Sequence, residues 1–214
     1  MRLASRGAIL FVVPSVYDLK PRFQALLRPA IHRLARLGVT ANHVTWTALV
    51  LSVAAGAAIA WRPRAGALLL ALPAVLFLRM ALNAIDGMMA RELDMKSPLG
   101  AVLNEIGDVA SDAALYLPLA RVPGFRADLV VAIVVLAVIT EMTGVLGLAL
   151  GGERRYDGPM GKSDRAFVIG ALALALGLGA RPEPWLTPVL VTVLALLLVT
   201  LFNRARRAAR GAAS

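Results

Sequence analysis

Two segments of this chain carry acidic and amide side chains at helical spacing within apolar sequence. In the first segment, Asn83 and Asp86 lie one turn apart, and Arg79 precedes them by a further turn. Because residues three and four positions apart share a helix face, this spacing predicts one polar stripe. The second segment predicts another, since a polar or small residue recurs there at every fourth position: Gly100, Asn104, Asp108 and Asp112.

The two stripes are rich in carboxylates. With Glu105 at the edge of the second stripe, the acidic residues are Asp86, Glu105, Asp108 and Asp112. Charged side chains inside a membrane are costly and mark functional sites. Oxygen ligands without Cys, and with no His in either stripe, suit Mg²⁺ or Mn²⁺ rather than Zn²⁺. We therefore predict a divalent-metal site, in preference to polar groups that only lock two helices together.

The composition places these stripes in a membrane protein. Hydrophobic residues make up 59% of the 214 residues, and the mean hydropathy is +0.74. Apolar runs of helical length follow one another, which predicts an all-α integral membrane protein of about six transmembrane helices. The runs are 41–61, 65–85, 98–120, 129–151, 166–180 and 185–202. Pro118 is predicted to bend the outer half of the third helix.

The positive charges fall mostly on one side of these runs. The formal net charge is +10, and 18 of the 23 Lys and Arg residues lie on the side that holds both termini. The positive-inside rule then places both termini in the cytoplasm, with the basic residues beside anionic lipid. Because these residues are spread over every inner edge, they do not predict binding to nucleic acid.

Residues 1–40 are predicted to form an N-terminal cytoplasmic segment, and residues 41–214 a six-helix transmembrane catalytic domain. Residues 23–37 alternate apolar side chains with arginines at helical spacing, which predicts an amphipathic helix on the membrane surface. The apolar run 8–16 follows basic residues, but it is short and contains Pro14. We therefore interpret it as uncleaved sequence rather than a secretory signal.

The two stripes and the residues around them form a motif. It resembles the signature of the CDP-alcohol phosphatidyltransferase family: Asp86-Gly87-x2-Ala90-Arg91-x8-Gly100-x3-Asn104-x3-Asp108. The start of the first span is also similar to the family: Thr40-Ala41-Asn42-His43-Val44-Thr45. The resemblance, which covers most of the chain, implies a surface helix, about six transmembrane helices, a cytoplasmic-side site and a homodimer. It also implies transfer of the phosphoryl-linked group of a CDP-alcohol, most often CDP-diacylglycerol, to a polar alcohol with release of CMP.

The resemblance implies roles for individual residues. Asp86 is expected to ligate a metal ion, and Asp108 to act as the general base. The expected nucleotide-binding residues are Gly87, Ala90, Arg91 and Gly100. The small residues would let the nucleotide approach the backbone. The arginine would meet phosphate, although anchoring at the inner edge explains its position equally well.

The chain departs from the family pattern at two positions, where it has Asn83 and Asn104 in place of Asp. Each Asn keeps one carbonyl oxygen but loses a negative charge. Glu105 and Asp112 lie close enough along the helix to supply the missing charge. The predicted metal ligands are therefore Asn83, Asp86, Asn104, Glu105, Asp108 and Asp112.

Three residues beyond the motif are candidates for acceptor binding. Lys162 and Arg165 belong to a basic connection that also fits plain anchoring at the inner edge. Glu141 lies about 20 Å into the fourth span, and is either part of the acceptor pocket or a partner for an inner-edge arginine. His32 and His43 lie away from both stripes, and we interpret them as surface and helix-start residues.

The leading hypothesis is a metal-dependent phosphotransferase of a bacterial inner membrane. It would transfer the substituted phosphoryl group of a CDP-linked lipid to a polar alcohol in phospholipid biosynthesis, with release of CMP. Asn83 and Asn104 leave a second hypothesis open, namely a catalytically silent relative that binds a CDP-lipid or acts as a scaffold. A small cation-coupled transporter is a third. It is disfavoured because no inverted repeat is visible and the stripes lie near the inner edge.

Overall fold

The structure is a computed structural model that describes residues 16–150 and 152–211, and every regular element within them is a helix. The α-helices are α1 Val16–Arg36, α2 Ala41–Trp61, α3 Gly66–Glu92, α4 Pro98–Tyr116, α5 Ala127–Ala149, α6 Lys162–Gly177 and α7 Leu186–Gly211. A 3₁₀ helix, Leu117–Arg121, follows α4. The all-α prediction is confirmed. The predicted run 41–61 coincides with α2, whereas α3 continues past residue 85 to Glu92, so that the whole first polar stripe is helical.

Four of the described helices are long and apolar enough to cross a membrane: α2, α3, α5 and α7. The other two candidate spans are less suited to a crossing. α4 carries three carboxylates in its 19 residues, and α6 has 16 residues, fewer than the roughly 20 that a crossing needs. The integral membrane character is therefore confirmed, while the count of six spans stays a prediction.

The surface helix predicted within residues 23–37 is part of α1, which packs against α3. Ile31 is fully buried on one face of α1, whereas Leu26 on another face is 78% exposed. Arg28 donates from Nε and Nη2 to the carboxylate of Glu92 at 2.9 and 3.1 Å. These hydrogen bonds raise the pKa of Arg28 and join α1 to the end of α3. Apart from Val16, the run 8–16 lies outside the described residues.

Local capping fixes where α2 and α4 begin. Thr40 and His43 form a reciprocal cap, in which each side chain accepts from the other residue's backbone N–H. This contact confirms the interpretation of His43 as a helix-start residue. At α4, the hydroxyl of Ser97 accepts from the N–H of Gly100 at 2.9 Å, and Pro98 occupies the first turn. Both caps lie beside the motif residues.

The far end of α4 is set by Pro118. The prediction that Pro118 bends the helix is wrong, because α4 ends at Tyr116 and the chain continues as the 3₁₀ helix. Proline lacks an N–H, and its ring clashes with the carbonyl four residues earlier, so an α-helix cannot continue normally through it. That carbonyl, of Ala114, lies against Gly56 of α2: a Cβ on Gly56 would stand 1.9 Å from it. Only glycine permits α2 and α4 to approach this closely.

The main core lies toward the end of the bundle opposite the motif. It is built from buried side chains of all the helices from α2 to α7, such as Leu72, Leu115, Val134, Ala173 and Leu190. A smaller cluster around Ile31, Met88 and Met89 packs α1 onto α3. Because lipid tails are as apolar as these side chains, close packing rather than exclusion of water holds such helices together. The core thereby fixes the helix rotations that aim both polar stripes at one place.

Candidate active site

A cavity of about 850 Å³ opens where the starts of α2, α4 and α6 meet the C-terminal half of α3. Its wall contains ten of the residues predicted from the sequence: Asn83, Asp86, Gly87, Ala90, Arg91, Gly100, Asn104, Asp108, Glu141 and Lys162. Three other predicted residues, Glu105, Asp112 and Arg165, are not part of this wall. The structure thus brings both polar stripes to one cavity, except for the far end of the second stripe.

Asp86 is the carboxylate of α3 in this cavity. It is 4% exposed, and its Oδ2 accepts a hydrogen bond from Thr45 Oγ1 of α2 at 2.8 Å. Within the described part of the chain, Asp86 has no ion pair. Thr45 was not predicted as a site residue, although it ends the Thr40–Thr45 stretch that resembles the family. Asp86 is therefore held in place by a neutral donor, and no cation among the described residues pairs with its carboxylate.

Asp108 of α4 has a different environment. Asn83 Nδ2 donates to its Oδ1 at 2.9 Å, and the ammonium of Lys162 pairs with the same oxygen. Arg79 lies 3.7 Å from that oxygen and also donates to the backbone carbonyl of Asp108 at 2.9 Å. Asn83 thus contacts the second stripe directly, as its position on the facing helix predicts. The negative charge of Asp108 is already shared with a cation of the protein.

Asp112 lies one turn further along α4, away from the cavity. Its Oδ1 pairs with Arg79 Nη1 at 2.5 Å, and its Oδ2 with Arg165 Nη2 at 2.8 Å. All three residues are at most 5% exposed. Both carboxylate oxygens therefore face guanidinium groups in a sealed ion triad. A metal-ligand role for Asp112 stays a prediction, and the contacts favour an ion-pair role.

Glu141 of α5 is surrounded by arginines. It pairs with Arg165 at 3.0 Å, with Arg204 at 3.1 Å and with Arg154 at 3.5 Å. Arg154 also pairs with Glu105 at 2.6 Å. The contacts of Glu141 match the ion-pair interpretation offered for it, while its place in the cavity wall keeps the acceptor-pocket interpretation open. Glu105 lies at the border of the cavity, bound to a cation rather than directed at Asp86.

Three basic residues of the wall, Lys96, Arg154 and Arg204, were missed by sequence reasoning. Arg154, whose guanidinium stacks on the ring of Tyr156 at 4.6 Å, belongs to the loop before α6. Arg204 of α7 is 1% exposed and donates to the carbonyl of Thr140 at 2.9 Å. In sequence, Arg204 looks like one of several C-terminal anchors. The sequence signal that could have identified Arg204 is its position four residues after Thr200, which places the two polar side chains on one face of a helix. Both are buried in the structure.

The motif's small residues lie where the helices crowd the cavity. A Cβ on Gly100 would stand 2.7 Å from Asn42 Oδ1, and one on Gly87 would stand 3.2 Å from Arg91 Nη1. Asn42 and Arg91 both line the cavity. Glycine at these two positions therefore leaves room for the side chains of Asn42 and Arg91. A nucleotide-binding role for Gly87 and Gly100 stays a prediction. Asn42 is a further wall residue that the sequence did not single out.

The donor set can be tested against the metal that the resemblance implies. Among the described residues, no group of three His, Cys, Asp or Glu side chains is arranged to hold an ion. From α3 and α4, the cavity instead receives two carboxylates, Asp86 and Asp108, and two amides, Asn83 and Asn104. The other wall carboxylates, Glu141 and Asp164, are engaged by arginines and by the N–H of Gly161. Mg²⁺ is typically bound by one or two carboxylates together with substrate phosphates and water. The residues present therefore fit one such cation completed by a phosphate ligand, and not a cage made by the protein alone.

Comparisons of sequence identify two relatives of this chain. The chain is 45% identical over 192 residues to inner membrane protein YnbA of Escherichia coli (strain K12), covering 90% of this chain and 95% of that protein. It is 32% identical over 184 residues to the archaetidylinositol phosphate synthase of Aeropyrum pernix, covering 79% and 90%.

Comparisons of structure give the same fold. The chain matches the phosphatidylinositol phosphate synthase of Mycobacterium tuberculosis in complex with manganese and citrate, with a TM-score of 0.69, 22% identity and coverage of 84% of this chain and 87% of that chain. The same enzyme with CDP-DAG bound matches with a TM-score of 0.66, 23% identity and coverage of 86% and 92%. The sequence profile of the CDP-alcohol phosphatidyltransferases matches residues 38–178. This match spans both polar stripes and most of the cavity wall, and the chain therefore belongs to the CDP-alcohol phosphatidyltransferase family.

Proposed function

We propose that this protein transfers the substituted phosphoryl group of a CDP-alcohol to the hydroxyl of a polar acceptor, with release of CMP, in phospholipid biosynthesis. One observation carries the proposal: a single cavity gathers Asp86, Asp108 and the small motif residues of α3 and α4. The solved relative that holds CDP-DAG supports CDP-diacylglycerol as the donor. The relative named archaetidylinositol phosphate synthase supports a role in lipid synthesis.

The divalent cation of this reaction, Mg²⁺ or Mn²⁺, would be held by the carboxylates of Asp86 and Asp108. The carbonyl oxygens of Asn83 and Asn104 would be further ligands. Asn83 contacts Asp108 through its Nδ2, which leaves its Oδ1 for another contact, and Asn104 lines the same cavity. When bound, such a cation neutralises charge on the diphosphate and on the leaving CMP. Glu105 and Asp112 remain weaker ligand candidates, because each is paired with arginine.

Asp108 is the proposed general base. The acceptor oxygen attacks the phosphorus that carries the lipid, the bond from that phosphorus to the bridging oxygen of the diphosphate breaks, and CMP leaves with the bond's electrons. The proton of the acceptor hydroxyl passes to the carboxylate of Asp108. A base must lie within hydrogen-bonding reach of this proton, and Asp108 is 15% exposed at the cavity, whereas Asp112 is sealed.

The nucleotide is proposed to lie against Gly87, Ala90 and Gly100, where its diphosphate approaches the backbone. Arg91, one turn after Gly87, is exposed at the same wall and meets phosphate. Lys96, in the short connection between α3 and α4, adds a second positive charge there.

The acceptor is proposed to lie on the other side of Asp108, toward α6 and α7. Lys162 and Glu141 line this part of the cavity as expected, together with Arg154 and Arg204. Arg165 was predicted as an acceptor ligand, but it is 1% exposed and pairs with Asp112 and Glu141. We therefore assign Arg165 a supporting position behind the wall, which fixes Glu141.

We propose a multi-pass inner-membrane location with both termini in the cytoplasm, supported by the charge distribution and by the E. coli relative, an inner membrane protein by name. The cavity then opens at the cytoplasmic edge, where water-soluble acceptors and CMP exchange. The basic residues at this edge contact anionic lipid. A homodimer is retained as a proposal from the family resemblance.

The test is turnover by the purified protein. The full chain in detergent is incubated with CDP-diacylglycerol labelled in its cytidine and with Mg²⁺, and a panel of polar alcohols is screened for release of labelled CMP. Asp86→Asn and Asp108→Asn are each expected to lower the rate by a factor of about 100 or more, since they remove a ligand or the base. Arg64→Gln, an exposed change in the α2–α3 loop at the opposite end of the bundle, is the control.

A silent, CDP-lipid-binding relative is the second candidate. It is favoured by Asn83 and Asn104 in the wall and by the ion pair that already engages Asp108. Saturable binding of CDP-diacylglycerol without CMP release, for every acceptor and for both Mg²⁺ and Mn²⁺, would establish it.

A further inference from the structure

The ammonium of Lys162 reaches into the cavity and pairs with Oδ1 of Asp108. Lys162 is the first residue of α6, whereas Asp108 lies in the middle of α4. The pair thus connects α6 to α4 at Asp108, the residue to which the proposed function assigns both metal binding and proton transfer. It is partly accessible, with side-chain exposures of 29% for Lys162 and 15% for Asp108.

The two carboxylates of the proposed metal site are therefore unequal. Asp108 Oδ1 is shared between Lys162 and the amide of Asn83. Asp86 accepts from the neutral hydroxyl of Thr45 and, among the residues that the structure describes, faces no ion-pair partner. A divalent cation approaching this site meets one available carboxylate and one that a protein cation already occupies.

We propose that Lys162 is a built-in counter-ion of the site, which competes with the divalent cation for Asp108. The inference rests on the proposed function, because it takes Asp86 and Asp108 as the metal-binding pair. Asp86 would hold the cation while the ammonium of Lys162 pairs with Asp108, and Asp108 would become a ligand when that ammonium moves away. The displaced ammonium then faces the acceptor side of the cavity.

The charges of the wall explain why such a counter-ion is tolerated. Asn83 and Asn104 are neutral, so α3 and α4 present two carboxylates to a cation, and the ammonium of Lys162 offsets one of these charges. Arg79 also lies 3.7 Å from Asp108 Oδ1, but its closer partner is Asp112 at 2.5 Å. A positive charge beside a divalent cation in a partly dehydrated site is repelled more strongly than it would be in water. Lys162 therefore lowers the affinity for metal and keeps Asp108 satisfied while the site is empty.

A purely structural interpretation predicts the opposite result. If Lys162 only tied the start of α6 to α4, its removal would loosen the loop and leave metal affinity unchanged or weaker. The direction of the change in metal affinity therefore separates the two interpretations without any measurement of turnover.

The experiment measures binding of Mn²⁺ alone to the purified full chain in detergent, by the electron paramagnetic resonance signal of free Mn²⁺. Lys162→Met removes the charge, and Lys162→Gln removes it but keeps a hydrogen-bond donor. Both are expected to lower the Kd for Mn²⁺ by about tenfold, comparable with one nearby unit charge at moderate dielectric. Arg64→Gln, which removes a positive charge far from the cavity, should leave the Kd unchanged.

Equal or weaker Mn²⁺ binding in a folded Lys162→Gln protein overturns the inference, as does an absence of binding in both parent and variant. Binding in the variant alone supports it. Asp86→Asn tests the proposed function separately. If Asp86→Asn bound Mn²⁺ as the parent does, the metal site itself would be misplaced. If only Asp86→Asn lost binding while both Lys162 variants matched the parent, the site would stand and the counter-ion role would fall.

Discussion

Asp112 offers the sharpest test of how the polar stripes are used. Sequence reasoning makes it a metal ligand, whereas the structure seals it between Arg79 and Arg165 at 2.5 and 2.8 Å. Asp112→Ala would remove the negative charge that neutralises the buried guanidinium groups of Arg79 and Arg165. Removing one partner of a buried ion pair costs about 3–5 kcal/mol, because the remaining charge is uncompensated.

The expected readout is stability rather than metal affinity. At about 2–4 °C per kcal/mol for a chain of this size, Asp112→Ala should lower the Tm in detergent by roughly 6–20 °C. Asp112→Asn keeps one acceptor oxygen and should lower the Tm less. The control is Asp128→Asn, which breaks the exposed pair with Arg126 and should change the Tm little.

Mn²⁺ titration of the same proteins completes the test. With Asp112 outside the cavity wall, the Kd of the folded Asp112→Asn protein should match that of the parent. An unchanged Tm together with a tenfold weaker Kd would refute the ion-triad reasoning and restore Asp112 as a ligand.

Three further predictions address packing, the border of the cavity and orientation. Gly56→Ala places a Cβ 1.9 Å from the backbone oxygen of Ala114 and should lower the free energy of unfolding by about 1–3 kcal/mol. Gly66→Ala, whose Cβ would meet its nearest atom at 3.6 Å, should not. Glu105→Gln frees Arg154 from its 2.6 Å pair. It should therefore raise the KM for the acceptor several-fold and change the Mg²⁺ concentration for half activity by no more than about twofold. If Glu105 were a direct metal ligand, its loss would raise that Mg²⁺ concentration about tenfold. Tags at either terminus should be protected from the outside of intact cells, and labelling of both from the periplasm would reverse the proposed orientation.

The sequence alone determined the helices and the membership of each stripe. Hydrophobic runs set the approximate bounds, since length and apolar composition define a membrane helix locally. The spacing of three and four residues placed Asn83 with Asp86, and Asn104 with Asp108, on single faces. The short connection between α3 and α4 predicted two adjacent antiparallel helices. The structure instead packs α2 against both of them, and the two stripes meet at the cavity.

Only the tertiary structure decided which cation meets which carboxylate. Arg165 is 53 residues from Asp112, and Arg204 is 63 residues from Glu141. Such contacts depend on how α4, α5, α6 and α7 rotate against one another, which the apolar packing of the core fixes. Spacing along one helix cannot show this rotation. The sequence predicted Asp86 and Asp108 as ligands, with Glu105 and Asp112 as compensating ones. Packing paired Asp108 with Lys162 and Glu105 with Arg154 and enclosed Asp112 between two arginines, while Asp86 has no ion-pair partner among the described residues.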